Sequence, residues 1–160
     1  MTTTNEQSDD DRIVSRTRLV PASPQDIFDL LADPAAHATF DGSDTVQSSR
    51  DENPERLELG SKFGMKMQFG VPYRITNTVV EFDEPTLIAW RHFGGHVWRY
   101  LLQEADGGTE VTEQFDWGRS HAPWLLQLAG YPKRHEHSLD ATLQRLVDHF
   151  EGTDGPAEQD

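Results

Sequence analysis

The C-terminal part of the chain carries apolar residues at the spacing of an α-helix. They fall one, three or four positions apart: Leu139, Leu143, Leu146, Val147 and Phe150. This spacing places their side chains on one face of a helix, with polar and acidic residues on the opposite face. Gly152 is the residue type that most readily takes the left-handed conformation just past a helix end. The pattern predicts a long amphipathic helix that lies on a partner surface and ends near Gly152.

The same helix face becomes polar towards its N-terminal end. Traced backwards, it passes through His135 and Tyr131, beside the interruption at Pro132. A helix that covers a cavity would place side chains with polar ends, such as these two, over the cavity. We therefore predict a pocket beneath the first turns of the helix.

Between residues 44 and 118 the hydrophobic period changes to two, the period of a β-strand. Turn-forming residues divide this region into six segments: 45–49, 57–69, 73–82, 87–93, 96–103 and 110–117. The second segment has the clearest alternation. Its apolar set is Phe63, Met65, Met67 and Phe69, and its polar set includes Lys62, Lys66 and Gln68. The region predicts an antiparallel meander in which the apolar set lines the interior and the polar set faces water.

A strand and two short helices precede the meander. Residues 12–19 alternate as an edge strand would. The serine and proline at positions 23–24 are typical of a helix N-cap and first helical residue, and this helix ends near Ala32. The aspartate and proline at positions 33–34 repeat the signal, which predicts a second short helix up to about Phe40.

This order of elements predicts an α+β helix-grip fold. A curved antiparallel sheet of about seven strands wraps around the long C-terminal helix, because this arrangement buries the apolar faces of both. A chain of 160 residues with 35% hydrophobic content is long enough to bury one core. We assign a single domain to residues 12–152 and disordered acidic tails to residues 1–11 and 153–160.

Composition and charge narrow the range of functions. Cysteine is absent, which excludes disulfides, thiolate metal sites and cysteine nucleophiles. The net charge is −14, and seven of the 28 acidic residues lie in the tails, so the body of the domain is acidic as well. An acidic surface repels nucleic acid and anionic membranes. Because no segment resembles a targeting signal or a membrane span, we expect a cytoplasmic protein without nucleic-acid partners or membrane insertion.

Four short motifs along the chain carry a family resemblance. They are Ser23-Pro24-Gln25-Asp26-Ile27-Phe28 with Asp33-Pro34, Gly60-Ser61-Lys62-Phe63-Gly64-Met65, Ile88-Ala89-Trp90-Arg91, and Trp98-Arg99-Tyr100 leading to Gly107-Gly108-Thr109-Glu110-Val111-Thr112. With the terminal helix, these motifs resemble the START/Bet v 1-like (SRPBCC) superfamily, in particular its bacterial polyketide cyclase/dehydrase and lipid transport proteins. The resemblance implies the helix-grip fold and an apolar cavity between sheet and helix. It implies no catalytic residue, because the superfamily includes carriers, enzymes, receptors and chaperone-associated modules.

The candidate ligand-binding residues lie on the faces that these patterns turn inward. In a two-residue hairpin at Gly94-Gly95, Trp98 pairs with Arg91 and Tyr100 pairs with Ala89, so Arg91 shares the face of both aromatic residues. The predicted lining is Phe63, Met65, Met67, Phe69, Tyr73, Ile75, Asn77, Arg91, Trp98, Tyr100, Glu113, Phe115, Tyr131, His135, Leu139 and Leu143. In a cavity fold, core and lining are the same residues, so these side chains also serve as core.

Glu113 is the candidate with the clearest chemical role. It shares its parity on the last strand with Val111, Phe115 and Trp117, so it faces inward if they do. An ionised carboxylate in apolar surroundings is costly unless it is paired. Its possible partners in the predicted lining are Arg91, Tyr131 and His135. The alternative is a bulge that turns Glu113 outward.

Two histidine groups suggest metal binding, but their spacing argues against it. A two-residue hairpin puts His92 and His96 on opposite faces of the sheet. In the terminal helix, His135 and His137 are two positions apart, whereas the metalloprotease motif needs histidines four apart. Serine-hydrolase and nucleotide-binding motifs are also missing from the sequence. We predict neither a metal site nor a cofactor.

Two functions of different class remain open. The first is binding of a hydrophobic small molecule, lipid or polyketide-like, between the sheet and the C-terminal helix. The second is a polyketide cyclase or dehydratase that uses the same cavity, with Glu113, His135 or Tyr131 as acid or base. A further alternative is a protein-interaction module with a filled core. All three are compatible with the pattern.

Overall fold

The computed structural model describes six segments of the chain. They are residues 13–40, 46–49, 53–69, 71–92, 95–117 and 131–158. Within these segments, the side chains of residues 38–39, 46–49, 65–69, 71–75, 131–136 and 152–158 lie outside the description. The described segments form one curved antiparallel sheet with a long C-terminal helix, which confirms the predicted α+β helix-grip fold.

The sheet in these segments has six strands of at least six residues and one short edge strand. They are β1 (Ile13–Val20), β2 (Val46–Ser49), β3 (Lys62–Phe69), β4 (Val71–Asp83), β5 (Leu87–His92), β6 (Val97–Ala105) and β7 (Gly108–Asp116). The strand order is β1-β7-β6-β5-β4-β3-β2, and every neighbouring pair is antiparallel. Strands β2 to β7 therefore form the predicted meander, and β1 joins its far edge beside β7.

The two short helical stretches after β1 begin where the capping signals placed them. Their bounds are Pro24–Leu31 for α1, His37–Phe40 for α2 and Tyr131–Glu158 for α3, with a 3-10 helix at Pro34–Ala36. The hydroxyl of Ser23 accepts a hydrogen bond of 3.1 Å from the backbone N–H of Asp26 and so caps α1. The carboxylate of Asp33 accepts one of 3.0 Å from the N–H of Ala35 and caps the 3-10 helix in the same way.

Helix α3 packs its predicted apolar face against the sheet. Leu139, Leu143 and Leu146 are at most 2% exposed, whereas Asp140 and Asp148 are exposed. The helix contacts β1 and β7 at one edge of the sheet and α2 on the other side. It therefore covers the sheet face on which the apolar side chains lie, which we call the inner face.

The C-terminal end of α3 differs from the prediction. The helix continues through Gly152 to Glu158, so the predicted end at Gly152 is wrong, and residues 153–158 of the predicted disordered tail are helical. A glycine within a helix costs about 1 kcal/mol relative to alanine, but it does not force the helix to end. The predicted N-terminal tail, residues 1–11, lies outside the described residues.

The connection between β5 and β6 is one residue longer than predicted. The backbone N–H of His92 donates to the carbonyl of His96, and the N–H of Gly95 donates to the carbonyl of His92, both at 2.9 Å. Gly95 has a φ of 98°, which is typical of the last residue in a three-residue hairpin loop. The longer loop shifts the pairing by one residue, so that Trp90 lies opposite Trp98.

Among the described side chains, the buried core forms two clusters along the sheet. The main cluster joins α1 and the middle of α3 to the sheet, and it includes Phe28, Leu31, Trp90, Leu102, Val111 and Leu143. The terminal cluster contains Val14, Phe115, Trp117 and Leu139. The half-buried side chain of Trp98 packs against both clusters. The apolar interior is therefore divided between these two groups.

The alternation predicted for β3 is confirmed where its side chains are described. Phe63 is 1% exposed and belongs to the main cluster, whereas Lys62 is exposed. The remaining side chains of this prediction lie outside the described residues: Met65, Lys66, Met67, Gln68 and Phe69.

Replacing Leu143 with alanine tests the packing of α3 on the sheet. Leu143 is 2% exposed in the main cluster, so the change removes buried apolar contacts and leaves a void. We expect the free energy of unfolding, measured by urea denaturation, to fall by about 2 to 5 kcal/mol. Glu151→Ala, at an exposed position of the same helix, is the control and should change it by less than about 0.5 kcal/mol. An unchanged midpoint for Leu143→Ala would contradict this packing.

Candidate functional site

A buried carboxylate lies on the inner face of β7. Glu113 is 2% exposed, and its neighbours of the same parity, Val111 and Phe115, are completely buried. The hydroxyl of Tyr100 on β6 donates a hydrogen bond of 2.8 Å to Oε1 of Glu113. The pairing of β6 with β7 continues without a shift along the whole hairpin, so the bulge that would have turned Glu113 outward is not there. Glu113 faces inward, as its parity predicted.

The Tyr100–Glu113 pair lies at the boundary between the two core clusters. Along β7, Val111 belongs to the main cluster and Phe115 to the terminal cluster, and Glu113 lies between them. On α3, Leu143 belongs to the main cluster and Leu139 to the terminal cluster. The polar groups of the pair therefore interrupt an otherwise apolar surface at the junction of the two clusters.

Arg16 on β1 lies directly opposite Glu113 in the sheet. Opposite residues of an antiparallel pair share a face, so Arg16 is on the same side of the sheet as the carboxylate. Its Nε lies 3.4 Å from Oδ1 of Asp140 on α3, and both side chains are partly exposed. Arg16 therefore brings positive charge to the edge of the site. No pattern in the sequence distinguishes Arg16 from Arg18, which is two positions away.

The longer β5–β6 connection moves Arg91 away from the site. Arg91 lies opposite Val97 and is exposed, so the prediction that it lines the interior with Trp98 and Tyr100 is wrong. Trp90, which is 7% exposed and lies opposite Trp98, occupies that place instead. A tryptophan ring thus replaces the predicted guanidinium.

The same connection brings His92 and His96 together. Their rings stack with centroids 4.3 Å apart and an angle of 14° between planes, so the predicted placement on opposite faces is wrong. Burial lowers the pKa of His92. The lone pair of an imidazole nitrogen lies in the plane of its ring. Because the two ring planes are nearly parallel, these lone pairs do not converge on one metal ion. Among the described residues, no group of three or more histidine, cysteine, aspartate or glutamate side chains could hold a metal.

His37, at the start of α2, is buried among aromatic rings. It stacks on Trp90 with ring centroids 4.9 Å apart and an angle of 25° between planes. The edges of Phe63 and Phe40 meet it at centroid distances of 5.3 and 5.2 Å. Nε2 lies 2.9 Å from the carbonyl oxygen of Leu31. Since a carbonyl only accepts, Nε2 carries the hydrogen of the neutral ring.

The environment of His37 keeps its ring uncharged at neutral pH. Burial lowers the pKa of His37 to about 4, although the hydrogen bond to Leu31 and the charge of Asp33 act in the opposite direction. The sequence analysis placed His37 in a short helix but gave it no role. The available signal was a single histidine within an alanine-rich run before Phe40, which is typical of a side chain turned towards the core.

The other predicted lining residues are either buried or outside the description. Those at most 4% exposed are Phe63, Asn77, Phe115, Leu139 and Leu143. The side chains outside the described residues are Met65, Met67, Phe69, Tyr73, Ile75, Tyr131 and His135. The contribution of Tyr131 and His135 beside Glu113 stays a prediction, as does ligand contact for the whole set.

The sheet that holds α3, with short helices at one side, defines a protein of the START/Bet v 1-like superfamily. Protein Ms6760 of Mycobacterium smegmatis has this fold, with a TM-score of 0.68 and 17% identity over 91% of this chain and 94% of that one. The AHSA1-like protein of Aeromonas hydrophila has a TM-score of 0.62 and 21% identity over 89% and 96% of the two chains. At these identities the similarity establishes the fold.

The chain belongs to the family described as polyketide cyclase/dehydrase and lipid transport, whose model matches residues 11–151. The uncharacterized protein Rv0088 of Mycobacterium tuberculosis is 36% identical in an alignment of length 146 that covers 86% of this chain and 63% of that protein. The chain therefore spans less than two thirds of the length of this relative. No helix in the described segments is long and apolar enough to cross a membrane.

The burial of His37 makes the stability of the protein depend on pH. Its pKa is lowered from 6.5 to about 4, so the unfolded chain binds this proton more readily than the folded protein. The contribution of the neutral His37 ring to the free energy of unfolding is complete above pH 6.5. It falls by a total of about 3 kcal/mol as the pH is lowered through about 4. We expect His37→Gln to lose less stability than the parent between pH 7 and pH 4.5, measured by urea denaturation.

The control for this measurement is His137→Gln, because His137 is exposed on α3. This variant should follow the parent at both pH values. If the parent and His37→Gln lost equal stability on acidification, His37 would not be a buried neutral imidazole.

Proposed function

We propose that the protein binds a hydrophobic small molecule, lipid or polyketide-like, between the sheet and α3. Glu113 and Tyr100 contact the polar end of this ligand, and the predicted lining residues other than Arg91 surround the rest, with Trp90 in place of Arg91. The observation that carries the proposal is a hydrogen-bonded carboxylate, 2% exposed, at the boundary between two apolar clusters. Family membership supports a small-molecule function, and a sequence without cysteine suits a reducing compartment such as the cytoplasm.

The energetics of burial favour a functional role for Glu113. Moving a carboxylate out of water costs several kcal/mol, and the 2.8 Å hydrogen bond from Tyr100 offsets part of that cost. A well-packed apolar side chain at this position would be at least as stable. Buried charged groups of this kind concentrate at functional sites, where a few polar groups in an apolar pocket orient the ligand.

The second candidate function is a cyclase or dehydratase reaction in the same place. A buried carboxylate next to a tyrosine hydroxyl is able to take up or release a proton at a bound substrate. Glu113 would be the acid or base, with Tyr131 and His135 as further candidates. A protein-interaction module with a filled core would need no polar pair in its interior, so the Tyr100–Glu113 pair argues against that alternative.

Mass spectrometry of the protein purified under native conditions tests the proposal. We expect a hydrophobic molecule to remain bound to the intact protein and to be released by organic solvent. A protein that carries no such molecule and does not take one up from a lipid extract would contradict the proposal.

Glu113→Gln separates the two candidate functions because it keeps the shape of the side chain and removes its charge. A binding protein should hold the identified molecule with affinity changed by about tenfold, whereas an enzyme should bind it and fail to convert it. Glu110→Gln, at an exposed position of β7, is the matched control and should change neither property. Unchanged affinity and turnover in Glu113→Gln would remove Glu113 from the site.

A further inference from the structure

The side-chain amide of Asn77 is a buried polar group on the inner face of β4. Asn77 is 4% exposed and has the same parity as Val79, which belongs to the main cluster. Among the described residues, no group forms a hydrogen bond with this amide. Nearly all buried polar groups in folded proteins have a hydrogen-bond partner, because burying an amide without one costs free energy. The amide therefore needs a partner that the described part of the chain does not supply.

The residues opposite Asn77 in the sheet are Phe63 on β3 and His92 on β5. Opposite residues share a face, so both lie on the inner face with the amide. Phe63 is apolar and 1% exposed. Burial lowers the pKa of His92, so its ring is neutral at pH 7 and above. An amide and a neutral imidazole each have donors and acceptors, and their neighbourhood suits a hydroxyl or a carbonyl group.

Aromatic rings connect Asn77 to the Tyr100–Glu113 pair. The ring of Phe63, opposite Asn77, has its centroid 5.6 Å from that of Trp90. The centroid of Trp90 lies 5.5 Å from that of Tyr100, whose hydroxyl donates to Glu113. The inner face therefore has an apolar aromatic stretch with a polar group at each end.

The two polar groups lie far apart along the sheet. On β5, His92 is opposite Asn77 and Ile88 is opposite Tyr100. Strands rise about 3.3 Å per residue and lie about 4.8 Å apart, so the Cα atoms of Asn77 and Tyr100 are about 16 Å apart. Side chains on the concave face of a curved sheet converge, which makes the distance between their polar atoms shorter. A molecule that contacts both groups must be elongated.

We infer that Asn77 is a second ligand-contact residue and that the protein takes an elongated ligand with a polar group at each end. The Tyr100–Glu113 pair contacts one end, and the Asn77 amide bonds to a hydroxyl or carbonyl group at the other. The inference rests on the proposed function and narrows it. Among lipid-like molecules it favours chains oxygenated at both ends, and among polyketide-like molecules it favours linear ones of the same kind.

Asn77→Leu tests whether the amide lacks a partner in the ligand-free protein. Leucine has the branched shape of asparagine without its polar atoms, so the change removes an unsatisfied group and fills the same space. In protein freed of bound lipid, we expect the midpoint of urea denaturation to rise by about 0.5 M. A midpoint at or below that of the parent would show that the amide is satisfied within the protein, and it would overturn the inference.

Displacement of a fluorescent probe tests the contact with the ligand. N-phenyl-1-naphthylamine becomes more fluorescent in apolar surroundings, and bound to the protein at pH 8 it is displaced by 1-decanol or by 1,10-decanediol. These two molecules differ by one terminal hydroxyl. In the parent, we expect half-displacement at concentrations within about threefold of each other, because Asn77 pairs with the second hydroxyl.

In Asn77→Leu the second hydroxyl of the diol is buried without a partner. The concentration of decanediol needed for half-displacement, relative to that of decanol, should rise by at least about tenfold. Thr76→Val is the matched control. Thr76 is the preceding residue of β4, exposed on the opposite face, so this variant should keep the ratio of the parent.

The outcomes distinguish this inference from the proposed function. If the ratio of decanediol to decanol is the same in the parent and in Asn77→Leu, Asn77 does not contact the ligand, and the binding function stands without it. If Thr76→Val changes the ratio as much as Asn77→Leu does, the effect is not specific to Asn77 and the inference is wrong. If neither the probe nor decanol binds, the proposed function is wrong and the inference fails with it.

Discussion

A sheet with one apolar face is stable only when something covers that face, and here α3 is the cover. Leu139, Leu143 and Leu146 bury the helix against the sheet, and the strand order places β1 beside β7 so that both contact the helix. Among the described residues, the buried apolar side chains beneath the helix fall into two clusters. The Tyr100–Glu113 pair occupies their junction, so the position of the site follows from the way the helix packs.

Within that arrangement, electrostatics give the interior a definite character. The described polar groups near Trp90 include the carboxylate of Glu113, the hydroxyl of Tyr100 and the neutral imidazole of His37. Burial holds His37 neutral, and Arg16, which lies opposite Glu113, is 3.4 Å from the carboxylate of Asp140 at the edge of the helix. These polar groups are set by the side chains of this chain and not by the fold.

Much of the fold was predictable because it depends on periodicity and on local signals. The capping residues Ser23 and Asp33, the meander and the leucine face of α3 are properties of short segments. The inward orientation of Glu113 followed from its parity with Val111 and Phe115 for the same reason. The family resemblance read from the motifs agrees with the family match over residues 11–151.

The parts of the site that sequence analysis missed depend on single-residue geometry or on contacts between distant segments. One additional residue in the β5–β6 loop moved Arg91 out of the interior and placed Trp90 there, because side chains alternate with a period of two. The burial of His37 arises from three segments that meet only in the folded chain. The pairing of Arg16 with Asp140 joins the first strand to the last helix, and no local pattern indicates it.

The proposed function requires the Tyr100–Glu113 pair to contact the ligand inside the fold. A crystal structure of the complex with the probe N-phenyl-1-naphthylamine, an uncharged aromatic amine that carries one N–H, tests this contact most directly. We expect the aromatic rings of the probe between the sheet and α3, with its N–H within hydrogen-bonding distance of Glu113. A probe bound on the outer face of the sheet, or inside the fold but away from Glu113 and Tyr100, would contradict the claim.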